Sequence, residues 1–238
     1  MQDIIVVGSL NMDLVVHVHK MPELGETIRG SDLLTIPGGK GANQAAAAAK
    51  MGNSVLMVGR VGGDSFGSIL KQNLKGLGVN TERVVLDEKA SSGTAVIAVD
   101  DQGNNSIIVS AGANGNVSTG DVENLAELIK QAKIVLLQLE VPMKVVSKII
   151  EVAWQQKVPV VLNPSPIMDL PQGLLKKVKY LVLNEIEAKS ISGSEVKDIE
   201  TALAAARKIM TLGVENVVTT LGEHGAVYAS SDLSGHVP

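Results

Sequence analysis

Ile4-Ile5-Val6-Val7-Gly8-Ser9-Leu10-Asn11-Met12-Asp13 opens the informative part of the chain. Four aliphatic residues without polar alternation read as a strand buried on both faces, which belongs inside a parallel sheet covered by helices. The run stops at Gly8. Polar residues just past the carboxyl end of such a strand sit where open α/β sheets bind ligands. Asn11 and Asp13, two apart, are therefore candidate ligand contacts, although an ordinary Asx turn accounts for the same pair.

Further along, the rhythm repeats. Apolar runs at 55–58, 134–137, 158–162, 180–183, 216–220 and 226–229 read as strands, and 65–77, 121–131, 145–156 and 200–212 as helices. Such alternation predicts an α/β fold: a mostly parallel central sheet flanked by helices in three layers, with right-handed crossovers. Polar clusters follow strand after strand: Glu140, then Asn163, then Asn184 with Glu187, then residues 220–225. Parallel strands bring these ends to one edge, so the clusters predict a single extended site. Segments 14–19, 27–29, 33–36, 93–99 and 106–109 break the βα rhythm and read as a small separate sheet, formed by about 14–36 and 93–109. Its apolar face is large for so small a sheet, which predicts a lid over the crevice, a contact with a second copy, or both. His17 and His19 have the spacing of a metal pair but no third ligand nearby in sequence.

Pro37-Gly38-Gly39-Lys40-Gly41-Ala42-Asn43-Gln44 runs into five alanines and Lys50. The glycines permit positive φ and close approach of backbone to a ligand. A helix must follow, because alanine is the best helix former, and Met51-Gly52 supplies its stop. Free N–H groups at a helix start welcome electronegative oxygens, and Lys40, Asn43 and Gln44 add donors suited to a polyhydroxylated ligand. Lys40 is followed by Gly41 rather than Ser or Thr, so this is no Walker A loop. A glycine turn feeding a core helix explains the same residues. Gly62, Gly63 and Asp64 read as structural, with Asp64 capping the helix behind it.

The 238 residues suffice for one large domain. Cysteine is absent, which fits a reducing cytoplasm. The formal net charge of -4 supplies no basic field for nucleic acid. No apolar run is long enough to cross a bilayer, and the N-terminus lacks a signal-peptide pattern.

These motifs together resemble the ribokinase-like (phosphofructokinase-B) family of sugar kinases, and the likeness spans residues 1–238. It rests on Gly8-Ser9-Leu10-Asn11-Met12-Asp13, the Gly38–Ala45 loop, Gly59-Arg60-Val61-Gly62-Gly63-Asp64, Gln138-Leu139-Glu140, Asn184-Glu185-Ile186-Glu187 and Thr220-Leu221-Gly222-Glu223-His224-Gly225. The resemblance implies ATP-dependent phosphorylation of D-ribose at its 5-hydroxyl, or of another sugar or nucleoside. Asn11, Asp13, Gly39, Lys40, Gly41, Asn43 and Glu140 would hold the sugar. Asn184, Thr220, Gly222, Glu223 and Gly225 would begin the ATP site, and Glu187 would help organise Mg²⁺. It further implies a monovalent cation such as K⁺ in the intact protein and a homodimer through the lid. The family's Gly-Ala-Gly-Asp turn, which carries the catalytic Asp, is expected beyond Pro238. The chain as given is therefore expected to be inactive, either as part of a longer kinase or as a non-catalytic sugar-binding remnant.

Overall fold

A computed structural model describes residues 2–238. In chain order its strands are β1 (Ile4–Val7), β2 (Asn11–His17), β3 (Leu34–Gly38), β4 (Val55–Gly62), β5 (Asn80–Asp87), β6 (Gly93–Val99), β7 (Asn105–Ser110), β8 (Ile134–Leu137), β9 (Val160–Leu162), β10 (Tyr180–Asn184), β11 (Asn216–Thr220), β12 (Ala226–Ala229) and β13 (Ser234–Val237). The α-helices are α1 (Lys40–Lys50), α2 (Ser65–Gly76), α3 (Ala126–Gln131), α4 (Met143–Gln155), α5 (Glu185–Ser192) and α6 (Ile199–Met210).

Nine strands form the central sheet in the order β13-β12-β11-β10-β9-β8-β1-β4-β5. Every pairing from β11 to β5 is parallel, and only the β12 and β13 edge is antiparallel. The all-apolar β1 lies between β8 and β4, with Ile5, Val6 and Val7 buried. From β1 the chain proceeds first to β4 and later to β8 on the other side, so the strand order reverses at β1. At such a reversal two neighbouring loops diverge and leave a crevice. Two aliphatic layers cover the sheet: Val145, Val146, Ile149 and Ile150 of α4 pack on one face, and Ala45 and Ala48 of α1 with Leu70 and Leu74 of α2 on the other.

A second sheet, of four strands, has the order β3-β2-β6-β7. The first segment of this sheet differs from its sequence reading in two ways. β2 begins at Asn11 rather than at 14, so Asn11 and Asp13 lie on a paired strand and not in an Asx turn. Residues 27–29 form no strand; that segment is a loop touching the sheet through a single bridge, Val18 to Gly30. Elsewhere β4 runs on through Gly62, because Arg60 and its neighbours pair with β5, a strand that sequence patterning missed. The expected helix at 121–131 is broken into a 3-10 turn (Thr119–Val122) and the shorter α3.

Candidate functional site

A cleft of about 840 Å³ opens at the β1/β8 crevice, beneath the four-stranded sheet. Asn11, Asp13, Gly39, Lys40, Asn43 and Glu140 all line it. These residues arrive from the start of β2, the start of α1 and the end of β8. Gly41 does not line the cleft but is buried behind it.

Glu140 organises this cluster through one oxygen. Its Oε2 accepts from Ser9 Oγ at 2.5 Å, from the Lys40 backbone N–H at 3.1 Å and from Asn11 Nδ2 at 3.4 Å. The next N–H groups of α1 are occupied as well: Gly41 donates to Ser9 Oγ at 3.2 Å and Ala42 to the Ser9 carbonyl at 2.9 Å. The start of α1 is thus not an open anion site, as its sequence suggests. Its donors and dipole hold the Glu140 carboxylate, an arrangement that stabilises negative charge. This approach requires glycine. A Cβ at Gly41 would lie 2.6 Å from the Ser9 nitrogen, and one at Gly39, where φ is +93°, 2.6 Å from the Asn11 nitrogen. Behind the cluster, Gln138 Nε2 donates to Gln44 Oε1 at 2.6 Å, so the Gln44 amide serves packing.

Asp13 has no such support. Its carboxylate takes no hydrogen bond from the described residues, although it is partly buried in a wall of the cleft. Burial raises its pKa above the ordinary carboxylate range, and the negative charge of Glu140 adds to the effect. Gly38 leaves the room, since a Cβ there would lie 2.3 Å from Asp13 Oδ2. In β-register Asp13 pairs with Ile36 and Ala95, and Ala95 with Val109. The adjacent row, Leu34, Val15, Ile97 and Ile107, is entirely apolar. The cleft therefore offers carboxylates and amides on one side and an aliphatic sheet on the other, a match for a ring bearing hydroxyls. Lys40 Nζ has no ion-pair partner among the described residues, which leaves it available to a ligand. Sequence reasoning overlooked Asn114, a buried residue beside Asn11, whereas the apolar contributors Ile97, Ile107 and Val109 come from the segments 93–99 and 106–109 that it read as the small sheet.

The other candidate residues occupy the same edge, past β10 and β11. Asn184 and Thr220 are direct partners in register, and Thr220 Oγ1 donates to the Leu183 carbonyl at 3.1 Å. Asn184 caps α5: its Oδ1 accepts from the Glu187 N–H at 2.8 Å, and Glu187 Oε2 accepts from the Asn184 N–H at 2.9 Å. Asn163 Nδ2 also reaches Glu187 Oε2, at 3.4 Å. Gly222 and Gly225 have positive φ and, with Glu223, form the turn into the antiparallel β12. Glu187 is buried and keeps Oε1 without a hydrogen bond among the described residues. One such carboxylate fits a Mg²⁺ reached through water and held mainly by a ligand's phosphates, because Mg²⁺ sheds water reluctantly. It does not make a protein cage, and no group of three His, Asp or Glu capable of holding a metal occurs among the described residues. His17 and His19 form no such site; His19 instead pairs with Asp101 at the surface.

A profile described as pfkB family carbohydrate kinase matches residues 1–238. A deoxyribokinase of Salmonella typhi is 38% identical over 237 residues, covering 99% of this chain and 78% of its own. A ribokinase of Schizosaccharomyces pombe is 39% identical over 241 residues, covering 98% and 76% respectively. Among solved structures, an Arabidopsis thaliana ribokinase complexed with ribose and ATP superposes with a TM-score of 0.87 at 32% identity, covering 99% of this chain and 78% of that one. No helix among the described residues is long and apolar enough to cross a membrane.

Proposed function

Because the chain belongs to the pfkB family of carbohydrate kinases, we propose that it serves transfer of the γ-phosphoryl group of ATP to the 5-hydroxyl of D-ribose. The observation that carries this reading is the Asp13 carboxylate, partly buried in the cleft without a hydrogen-bond donor among the described residues and set beside Glu140. Two carboxylates in one cleft are costly unless a ligand brings donors to them. Adjacent sugar hydroxyls bring such donors, and their oxygens accept from Asn11, Lys40 and Asn43. Ile97, Ile107 and Val109 of the small sheet cover the C–H face of the sugar and exclude water, which would compete with the 5-hydroxyl.

Asn184, Thr220, Gly222, Glu223 and Gly225 border the nucleotide at the β10 and β11 ends. Phosphoryl transfer rests on positioning and electrostatics, so holding two substrates along one sheet edge is the main contribution of these residues. Mg²⁺ on the phosphates supplies charge neutralisation, and Glu187 is the residue that would orient its water shell. The base for the 5-hydroxyl is assigned to none of the cleft residues, which are engaged in binding. The small sheet also joins two copies of the chain through its apolar face. A second reading, 2-deoxyribose as the sugar, draws on the comparable identity to a deoxyribokinase. Calorimetric titration with D-ribose, 2-deoxyribose and adenosine tests the assignment. Tightest binding of D-ribose is expected; preference for 2-deoxyribose moves the assignment to the second reading, and absence of pentose binding removes both.

A further inference from the structure

The side-chain amide of Asn11 can be placed either way round, and its orientation is fixed from outside the cleft. The Leu10 backbone N–H donates to Asn114 Oδ1 at 2.9 Å. A main-chain N–H only donates, so that atom of Asn114 must be the oxygen. Asn114 Nδ2 then meets the Leu10 carbonyl at 3.1 Å and Asn11 Oδ1 at 2.7 Å. An amide nitrogen only donates, so the atom it meets on Asn11 must also be the oxygen. Asn11 Nδ2 is left toward Glu140 Oε2, at 3.4 Å. Each step is forced by the main-chain group that starts it. Asn114 is 1% exposed. The pair fits only because Gly93 lacks a Cβ, which would lie 2.1 Å from Asn114 Nδ2 and 2.3 Å from Asn11 Oδ1.

We propose that Asn114 is a positioning residue for the sugar site: it locks the Asn11 amide with its N–H groups toward Glu140 and the cleft. Asn11 then offers a sugar hydroxyl a donor and never an acceptor. Its opposite orientation would set the amide oxygen against the Glu140 carboxylate. With Asp13 and Glu140 as acceptors, the locked amide completes a set in which one hydroxyl donates to a carboxylate while its oxygen accepts from Asn11. Asn114 lies in the 3-10 turn (Gly112–Asn116) that follows β7, whereas Asn11 begins β2. The lock therefore joins the exit of the four-stranded sheet to the first residue of its sugar-facing strand.

This inference rests on the sugar-binding reading of the cleft, and a double-mutant cycle tests it separately. D-Ribose affinity is measured by calorimetry for the parent, Asn11→Ala, Asn114→Ala and the double variant. Each single change is expected to weaken binding about three- to tenfold, the scale of one hydrogen bond. If Asn114 acts through Asn11, the double variant binds no worse than Asn11→Ala alone. Losses that multiply overturn the lock and leave the sugar reading standing; a parent that binds no pentose overturns the sugar reading and the lock with it. Should Asn114→Ala fail to fold, Asn114→Asp keeps an acceptor for the Leu10 N–H but, when ionised, has no donor. Its affinity relative to the parent at the same pH should recover on acidification, as the carboxyl regains a proton to donate. A ratio independent of pH would overturn the lock.

Discussion

At the scale of single residues the cleft sets binding against stability, and Asp13 is where the conflict shows. Its folded pKa is raised, first by burial and then by Glu140, so the folded chain resists the charge that the unfolded chain accepts freely. As pH rises through the unfolded value and then the higher folded value, the stability associated with Asp13 falls. Asp13→Asn should therefore melt higher than the parent at neutral pH, and the advantage should vanish in acid. On the proposed reading ribose hydroxyls donate to the ionised form, so sugar affinity should rise with pH through the folded value and be flatter in Asp13→Asn. Losing one charged acceptor, about 1.5–3 kcal/mol, should weaken ribose binding roughly ten- to a hundredfold. Calorimetry across pH with melting curves checks both halves, and unchanged affinity in Asp13→Asn would sink the assignment. Asp13 was legible because it follows an apolar strand at a two-residue spacing. Asn114 was not: its partner is 103 residues away in sequence, and nothing within Gly112-Ala113-Asn114-Gly115 marks a side chain that reaches across the fold.

At the scale of elements, local rules located most starts and stops and failed where the partner was distant. β1, β8, β11 and β12 have the bounds that their apolar runs imply, because each is a short buried run between polar ends. α5 was missed despite its own signal, an Asn followed three residues later by Glu, which is a capping box. The structural reading of Asp64 gains a second part. Besides capping α2 through the Gly67 N–H at 2.9 Å, Asp64 accepts from the Ser92 N–H at 2.7 Å and Ser92 Oγ at 2.6 Å, one residue before β6. Asp64→Ala should cost the one or so kcal/mol of a lost cap and more for the freed Ser92. A fall in melting temperature of at least about 2–4 °C is expected for a chain of this size. No change on thermal melting would contradict the double anchoring. The small sheet supports a prediction of its own. Leu34 is 48% exposed in the apolar row with Val15, Ile97 and Ile107, yet does not line the cleft. If two copies pair through this face, Leu34→Glu should shift a dimer toward monomer in sedimentation while sparing ribose affinity. A parent that sediments as a monomer at micromolar concentration would refute the pairing.

At the scale of the whole molecule, alternating strands and helices were enough to forecast that the polar clusters share one edge, and the nine-stranded order shows why they do. β1, β8, β9, β10 and β11 are mutually parallel, so the polar residues after each of them must emerge on the same side. Alternation could not disclose that the α1 N–H groups bond to Glu140 and Ser9, since those bonds span 100 and 32 residues. The same edge leads to the last prediction. The 238 residues contain no Gly-Ala-Gly-Asp turn, the segment from which the family resemblance takes the base and the anion hole. On the proposed reading Asp13 and Glu140 grip the sugar, and Glu187 caps α5. A positioned base contributes roughly 10²–10⁴ in rate, and each donor to the developing charge about 10²–10³. The 238-residue chain prepared alone should therefore bind D-ribose, yet release ADP no faster with ribose than without it. Appending a segment with that turn should restore ribose-dependent ADP release, and replacing its Asp by Asn should abolish it again. Ribose-dependent ADP release by the 238-residue chain itself, lost in Asp13→Asn, would instead place the base within the cleft already formed by Asn11, Asp13, Lys40 and Glu140.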